Sequence, residues 1–315
     1  MRAAQAALIN FGENTMGSKN NGNQAPERPA GQSLWGDAWR RLKQDRAAIM
    51  GGVVVLLLVA MVVFAPLLAP HDPAKGYSEG LSDYGEPLPA NKTFPLGTDH
   101  LGRDVLSRLI WGARISLLIG IVSNLLAVLI AVPVGAIAAY MGGWVEIVLM
   151  RFTDVVMAFP MLLLAIALAA VLQPGLGTVI IVIAFVYWSY LARIIYSKVL
   201  SVKNIEFVMA ARAVGVPSFR ILAVHILPHL MSECLVYATL GVAQTVLTEA
   251  SMSYLGIGVR PPTPSWGSMI AEGQTYYRAA PWLILYPGLA LMLTVLAFNL
   301  LGDGLRDALD PRTRR

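Results

Sequence analysis

The sequence predicts an all-α integral membrane protein with six transmembrane helices. Three observations predict it. Over 315 residues, hydrophobic side chains make up 56% and charged ones 14%, with a mean hydropathy of +0.61, so a water-soluble fold would lack the polar groups to cover itself. The apolar residues fall into runs of about 20, the length that crosses ~30 Å of hydrocarbon. The charges of this +5 chain lie between those runs and not on one face, which argues against nucleic acid as a partner. The single cysteine, Cys234, excludes a disulfide framework or thiolate cluster, and four histidines leave little for a metal site.

Taken in order, residues 1–33 are rich in Asn, Gln, Gly, Ser and Ala and hold too few large apolar groups for a core; a disordered tail is expected. In 34–48, Trp35 and Trp39 stand four apart beside Arg40, Arg41, Lys43 and Arg46, a pattern that suits a helix at the membrane interface. The first span is expected over 49–69 and reads as an uncleaved anchor, not a secretory signal. The loop 70–113 carries four bases and six acids, with Asp99/Arg103 and Asp104/Arg108 at i,i+4 spacing, and reads as a folded segment. A five-helix core over 114–302 follows, with spans at 115–139, 155–172, 177–196, 232–255 and 279–301, then a tail over 303–315.

Six spans put both termini on one side. Seventeen Lys and Arg lie on that side against seven on the other, which assigns the termini to the cytoplasm.

The chemistry a self-sufficient pump needs is missing. A phosphate-cradling P-loop requires Gly-Lys, and that dipeptide does not occur, so any ATP must be bound by another subunit. No serine has the GxSxG setting of a nucleophile elbow. His225 and His229 have zinc-site spacing, but Ile226 replaces the required glutamate and Pro228 interrupts the helix, so neither a catalytic nor a metal residue is expected.

Polar groups inside spans are costly and each asks for a role. Asn124, Tyr187, Gln244 and Glu249 are candidates for a wet pathway, with hydrogen bonding between helices as the alternative reading. Trp188 is a further pathway candidate. Asp154 and Glu233 lie near inner ends, within reach of water or Arg151. Pro133, Pro160 and Pro287 interrupt spans without pointing to function.

The longest inner connection, 198–230, is amphipathic. Phe207, Val208, Ala211, Val214 and Phe219 alternate with Lys203, Arg212 and Arg220, and Gly215 and Pro217 break the pattern before a second apolar stretch ends at Pro228. Two short helices meeting at a glycine turn are expected. Ala210, Ala211 and Gly215 allow close approach of a partner, and Arg212 and Arg220 reach acidic groups; anchoring to lipid headgroups is the alternative.

The alanine pair Ala210-Ala211, Gly215 after three intervening residues and Leu227-Pro228 after eleven more resemble the EAA loop of ABC importer permeases, with Met209 where glutamate is usual and His225 where isoleucine is usual. Further segments resemble the C-type permease subunit of dipeptide and oligopeptide importers. These are Pro95 to Asp99, Gly102 to Arg108, Gly112 to Leu117, Pro261 to Gly267 and Asn299 to Pro311, and the likeness covers about 34–312.

The resemblance implies a type I ABC importer permease fold with a cytoplasmic coupling helix. It implies half of a pathway for dipeptides or oligopeptides, with glutathione, nickel complexes or opines as alternative cargo. It also implies a B-type permease as heterodimer partner, two ATP-binding cassette subunits carrying ATP and Mg, an extracytoplasmic peptide-binding protein, and a place in the bacterial inner membrane. Phe207, Ala210, Ala211, Arg212, Gly215, Phe219, Arg220 and Pro228 would then couple to the ATPase. Asp99, Arg103, Asp104, Arg108 and Trp266 would face the binding protein or brace the outer loops. An ion-coupled secondary transporter using Glu249 and Glu233 is the distant rival, disfavoured by the lack of an internal repeat.

Overall fold

The computed structural model describes residues 34–173 and 175–309. The expectation for 1–33 and for the last six residues of the C-terminal tail therefore lies outside the described residues. The chain divides into two compact units, 1–37 and 38–315. Of the first, only 34–37 is described, as the start of a helix, α1 (Leu34–Leu42).

In the second unit the described residues build α-helices joined by loops, with only two isolated β-bridges. Helix α2 (Arg46–Val63) starts where the Asp45 side chain accepts hydrogen bonds from the Ala47 and Ala48 N–H groups at 2.8 and 3.3 Å. It stops at Phe64, and a short turn of helix, α3 (Ala65–Leu68), follows. The anchor thus begins and ends a few residues earlier than hydropathy alone suggests. It lies along α11 (Trp282–Leu309), where Gly51 leaves room for the Ala297 carbonyl: a Cβ there would stand 2.7 Å from that oxygen.

Helix α4 (Val105–Met141) spans 37 residues, about 55 Å, and so rises well beyond the hydrocarbon. Asp104 caps it, accepting from the Ser107 N–H at 3.0 Å and the Ser107 hydroxyl at 2.6 Å. Its buried face is small: Ser116, Gly120, Ser123, Ala127, Ala131, Gly135 and Ala138, while Leu118, Leu125 and Leu129 point outward. That inversion relative to a soluble core is expected when lipid is as apolar as leucine and helices associate by close packing. Gly135 lets α4 press against the Ala192 carbonyl of α7 (Leu176–Val202), its most extensive helix partner.

The expected third span, 155–172, is not one helix. The chain forms α5 (Gly143–Met157) and α6 (Met161–Val171), bent by 88° across a three-residue break. Pro160 supplies no N–H and disfavours helical backbone at Phe159, so the apolar run is continuous but the hydrogen-bond ladder is not. Among the described residues five helices are long and apolar enough to cross a membrane, or six if the bent pair counts as one.

The inner connection forms α8 (Glu206–Ala213), a turn, and the start of α9 (Ser218–Tyr254). Near its start α9 widens into a π segment, Ile221–Ile226, in which the Leu227 N–H reaches back to the Leu222 carbonyl. Pro228 accounts for it: the missing donor and the bulk of its ring are accommodated by a wider turn. Helix α10 (Trp266–Gly273) carries a capping box between Ser265 and Ser268. Residues 303–309, expected as tail, continue α11 as helix.

Candidate functional site

Three places hold the residues singled out by the sequence. The first is the hairpin of α8 and the start of α9. Val208 is fully buried and packs with Ile221, Ile226, Ile195 and Val199, so the hairpin stands on the C-terminal ends of α4 and α7 and the start of α9. Lys203 Nζ donates to the Ala139 carbonyl at 2.9 Å, a cation at the C-terminal end of α4.

The turn after α8 is a Schellman motif. The Gly215 N–H bonds to the Arg212 carbonyl and the Val216 N–H to the Ala211 carbonyl, with Gly215 at φ +81°. Glycine is needed there for its left-handed backbone, and the space around it is open. From that base Val214 and Phe219 project at 83% exposure each, beside exposed Phe207, Met209, Ala210 and Arg220. Arg212 lies over the Tyr140 ring at 5.6 Å, so part of its reach is spent within the chain. Ala211 is half-buried, Pro228 exposed, and His229 packs against Phe207 at 5.7 Å; with His225 it finds no third metal ligand among the described residues.

The second place is the end of the bundle formed by the loop before α4 and by α10. Asp99, Arg103, Asp104, Arg108 and Trp266 are all less than 5% exposed, so they brace the fold and present little to a partner. Asp99 and Arg103 pair as the spacing predicts, Nε to Oδ2 at 2.6 Å. Asp104 and Arg108 do not pair. The Asp104 carboxylate is committed to capping α4 and stands 3.4 Å from His71, while Arg108 turns to Asp99 at 3.3 Å and to Glu272 at 2.9 Å.

Glu272, on α10, also accepts from Arg103 at 2.5 Å and so completes a clasp of two acids and two bases. Sequence reasoning missed it, because nothing local ties residue 272 to 103. Asp99, His100 and Glu272 put ligand atoms within 4.8 Å of one another, but both carboxylates already face guanidinium groups that oppose a cation. Trp266 donates to the Leu109 carbonyl at 3.0 Å, fastening α10 to α4.

The third place is a cavity of about 690 Å³ at the α5–α6 break, lined among others by Phe159, Pro160, Tyr187, Gln244 and Asp303. Two of the four pathway candidates, Tyr187 and Gln244, line it; the other two do not. Asn124 is buried and donates to the Ala238 carbonyl at 2.5 Å, tying α4 to α9 where Gly241 makes room. Glu249 is fully buried and accepts from the Ser253 hydroxyl at 2.6 Å. Trp188 is buried and stacks near Phe152. Asp154 pairs with Arg193, not with Arg151, and Glu233 pairs with Lys198 at 3.0 Å, which joins the inner halves of α5, α7 and α9.

Comparison with known proteins adds to this geometry. Residues 131–315 match the model of the binding-protein-dependent transport system inner membrane component, and 33–87 match the N-terminal transmembrane domain of oligopeptide transport permease C. The chain is 40% identical to the dipeptide transport system permease protein DppC of Bacillus subtilis, covering 94% of this chain and 91% of that one. It is 38% identical to DppC of Alkalihalophilus pseudofirmus, over 90% and 91%. It is 39% identical to the glutathione transport system permease protein GsiD of Pectobacterium atrosepticum, over 89% and 92%. Among solved structures, a chain of the MetNI methionine ABC transporter in inward-facing conformations superposes with a TM-score of 0.56 at 17% identity, over 64% of this chain and 96% of that one, which shows the shared fold.

Proposed function

The chain belongs to the family of binding-protein-dependent transport system inner membrane components, the non-enzymatic permease subunits of ABC importers, and from that premise we propose that it forms half of an inner-membrane pathway for dipeptides and short oligopeptides. Its termini face the cytoplasm. A B-type permease forms the other half, two separate cassette subunits bind ATP and Mg, and an extracytoplasmic peptide-binding protein delivers the cargo. The segment from Phe207 to Arg220 docks on one ATPase.

One observation carries the coupling role: the Schellman turn at Gly215 holds two fully projecting apolar side chains, Val214 and Phe219, over a buried base. Solvent-exposed apolar groups on a rigid, short hairpin suit a groove on another protein. Closing of the ATP-bound dimer would pull this hairpin, and through Val208 the inner ends of α4, α7 and α9. For coupling, ATP must bind better to one permease state than to the other, and the hairpin is the route by which that difference passes.

Reconstitution with the three partner types tests the reading. Labelled dipeptide should accumulate only with ATP, loaded binding protein and the intact hairpin. Accumulation by this chain alone would overturn it. Glutathione is the second reading, favoured by the 39% identity to the glutathione permease, and direct competition between the two cargoes in the same vesicles separates them.

A further inference from the structure

The break between α5 and α6 leaves backbone donors that the chain does not use. The first N–H of α6 with an acceptor is that of Leu164, on the Pro160 carbonyl at 3.0 Å, so those of Met161, Leu162 and Leu163 have no partner among the described residues. Pro160 is the N-cap and offers no side-chain oxygen. Such donors at membrane depth need a wet cavity or a ligand, and Pro160 and Met161 line the 690 Å³ cavity.

Tyr187 lines the same cavity. Its residue is only 6% exposed, yet among the described residues its hydroxyl makes no hydrogen bond. A nearly buried phenol without a partner, set with the positive end of a helix around one cavity, is a donor set for an anion. On a third helix, α11, the exposed Asp303 lines the cavity. Donors and a carboxylate on separate walls suit a zwitterion better than a simple anion.

We infer that the N-terminus of α6 and the Tyr187 hydroxyl form a subsite for the α-carboxylate of a peptide passing through this subunit. The inference rests on the peptide reading above and adds the atoms that receive the cargo. It also gives the broken helix a purpose: a continuous helix would satisfy its own donors and present none to the cavity.

The test uses the full assembly in lipid nanodiscs, with 3-fluorotyrosine in place of Tyr187 and the fluorine resonance as readout. Ala-Ala, its C-terminal amide and acetate are titrated in turn, and uptake of labelled Ala-Ala is measured separately in proteoliposomes. Ala-Ala should shift the resonance saturably, acetate more weakly, and the amide at least about tenfold less well. Pro160→Asp, which tethers a carboxylate over the same donors, should weaken the Ala-Ala response by a similar factor. An equal response to amide and free acid overturns the subsite, and should Pro160→Asp fail to assemble, that contrast in the otherwise unaltered assembly decides alone. Uptake of Ala-Ala without a carboxylate-dependent shift removes the subsite and leaves the transport function standing. A carboxylate-dependent shift without uptake supports the subsite and removes peptide transport.

Discussion

The two ends of this bundle treat their side chains in opposite ways. At the end that carries α10 charges are buried: Asp99, Arg103 and Arg108, with Glu272 partly covered, close on one another. At the α8–α9 end apolar groups are exposed: Val214 and Phe219 project from a hairpin. Buried ions that find all their partners within the chain describe a surface already complete. Exposed apolar groups on a turn built over a buried base suit the docking surface proposed above. The charged end therefore holds itself together, and the hairpin end carries the surface that the proposed coupling would use.

Breaking the clasp should have the largest effect. Glu272→Ala leaves two guanidinium groups without their shared acceptor and should cost about 3–5 kcal/mol, read as a lower melting temperature of the purified subunit and reduced membrane levels. If the melting temperature is unchanged, the clasp is not what holds α10 to the outer loop. The hairpin end should respond in the opposite sense. Phe219→Asp should leave melting near that of the parent while weakening association with the ATPase by about 2 kcal/mol, roughly thirtyfold in Kd, measured by titrating the ATPase subunit onto nanodisc-embedded permease. Loss of melting stability with association intact would reverse the comparison.

Gly215→Leu is expected to strain the turn by about 1–2 kcal/mol at φ +81° and abolish uptake while the subunit stays in the membrane. Gly215→Asn, which tolerates left-handed backbone, should retain part of the uptake, so transport assays on the pair distinguish a backbone requirement from a size requirement. The smallest effect belongs to Trp266→Phe, which removes the hydrogen bond to the Leu109 carbonyl and should cost about 1 kcal/mol of thermal stability with uptake per folded subunit unaltered.

Much of the architecture could be read along the chain because its causes are local. A run of apolar residues crosses lipid wherever it occurs, and the Gly215–Pro217 pair marks a helix end by its backbone preferences alone. The glycine turn was legible for that reason, whereas the second of the two short helices expected there runs on as the 37-residue α9, because nothing local to the turn ends it. Spacing was less reliable for charges. Asp104 and Arg108 satisfy the i,i+4 rule, but Asp104 lies just before α4, where the free N–H groups of a helix start compete for its carboxylate. Hydropathy also hid the break at Pro160, since Val155 to Leu172 is apolar throughout and the interruption lies in the hydrogen bonds.

What the order of amino acids settled by itself was the solvent this protein lives in, the apolar runs, and the glycine turn. Each follows from the free energy of single residues or near neighbours. Tertiary structure alone decided which carboxylate Arg108 meets, that Asn124 and Glu249 are tied down within the bundle while Tyr187 and Gln244 line a cavity, and that one apolar run becomes two helices at 88°. Those outcomes depend on groups separated by up to 169 residues in the chain, as between Arg103 and Glu272, and such partners compete only once packing has brought them together.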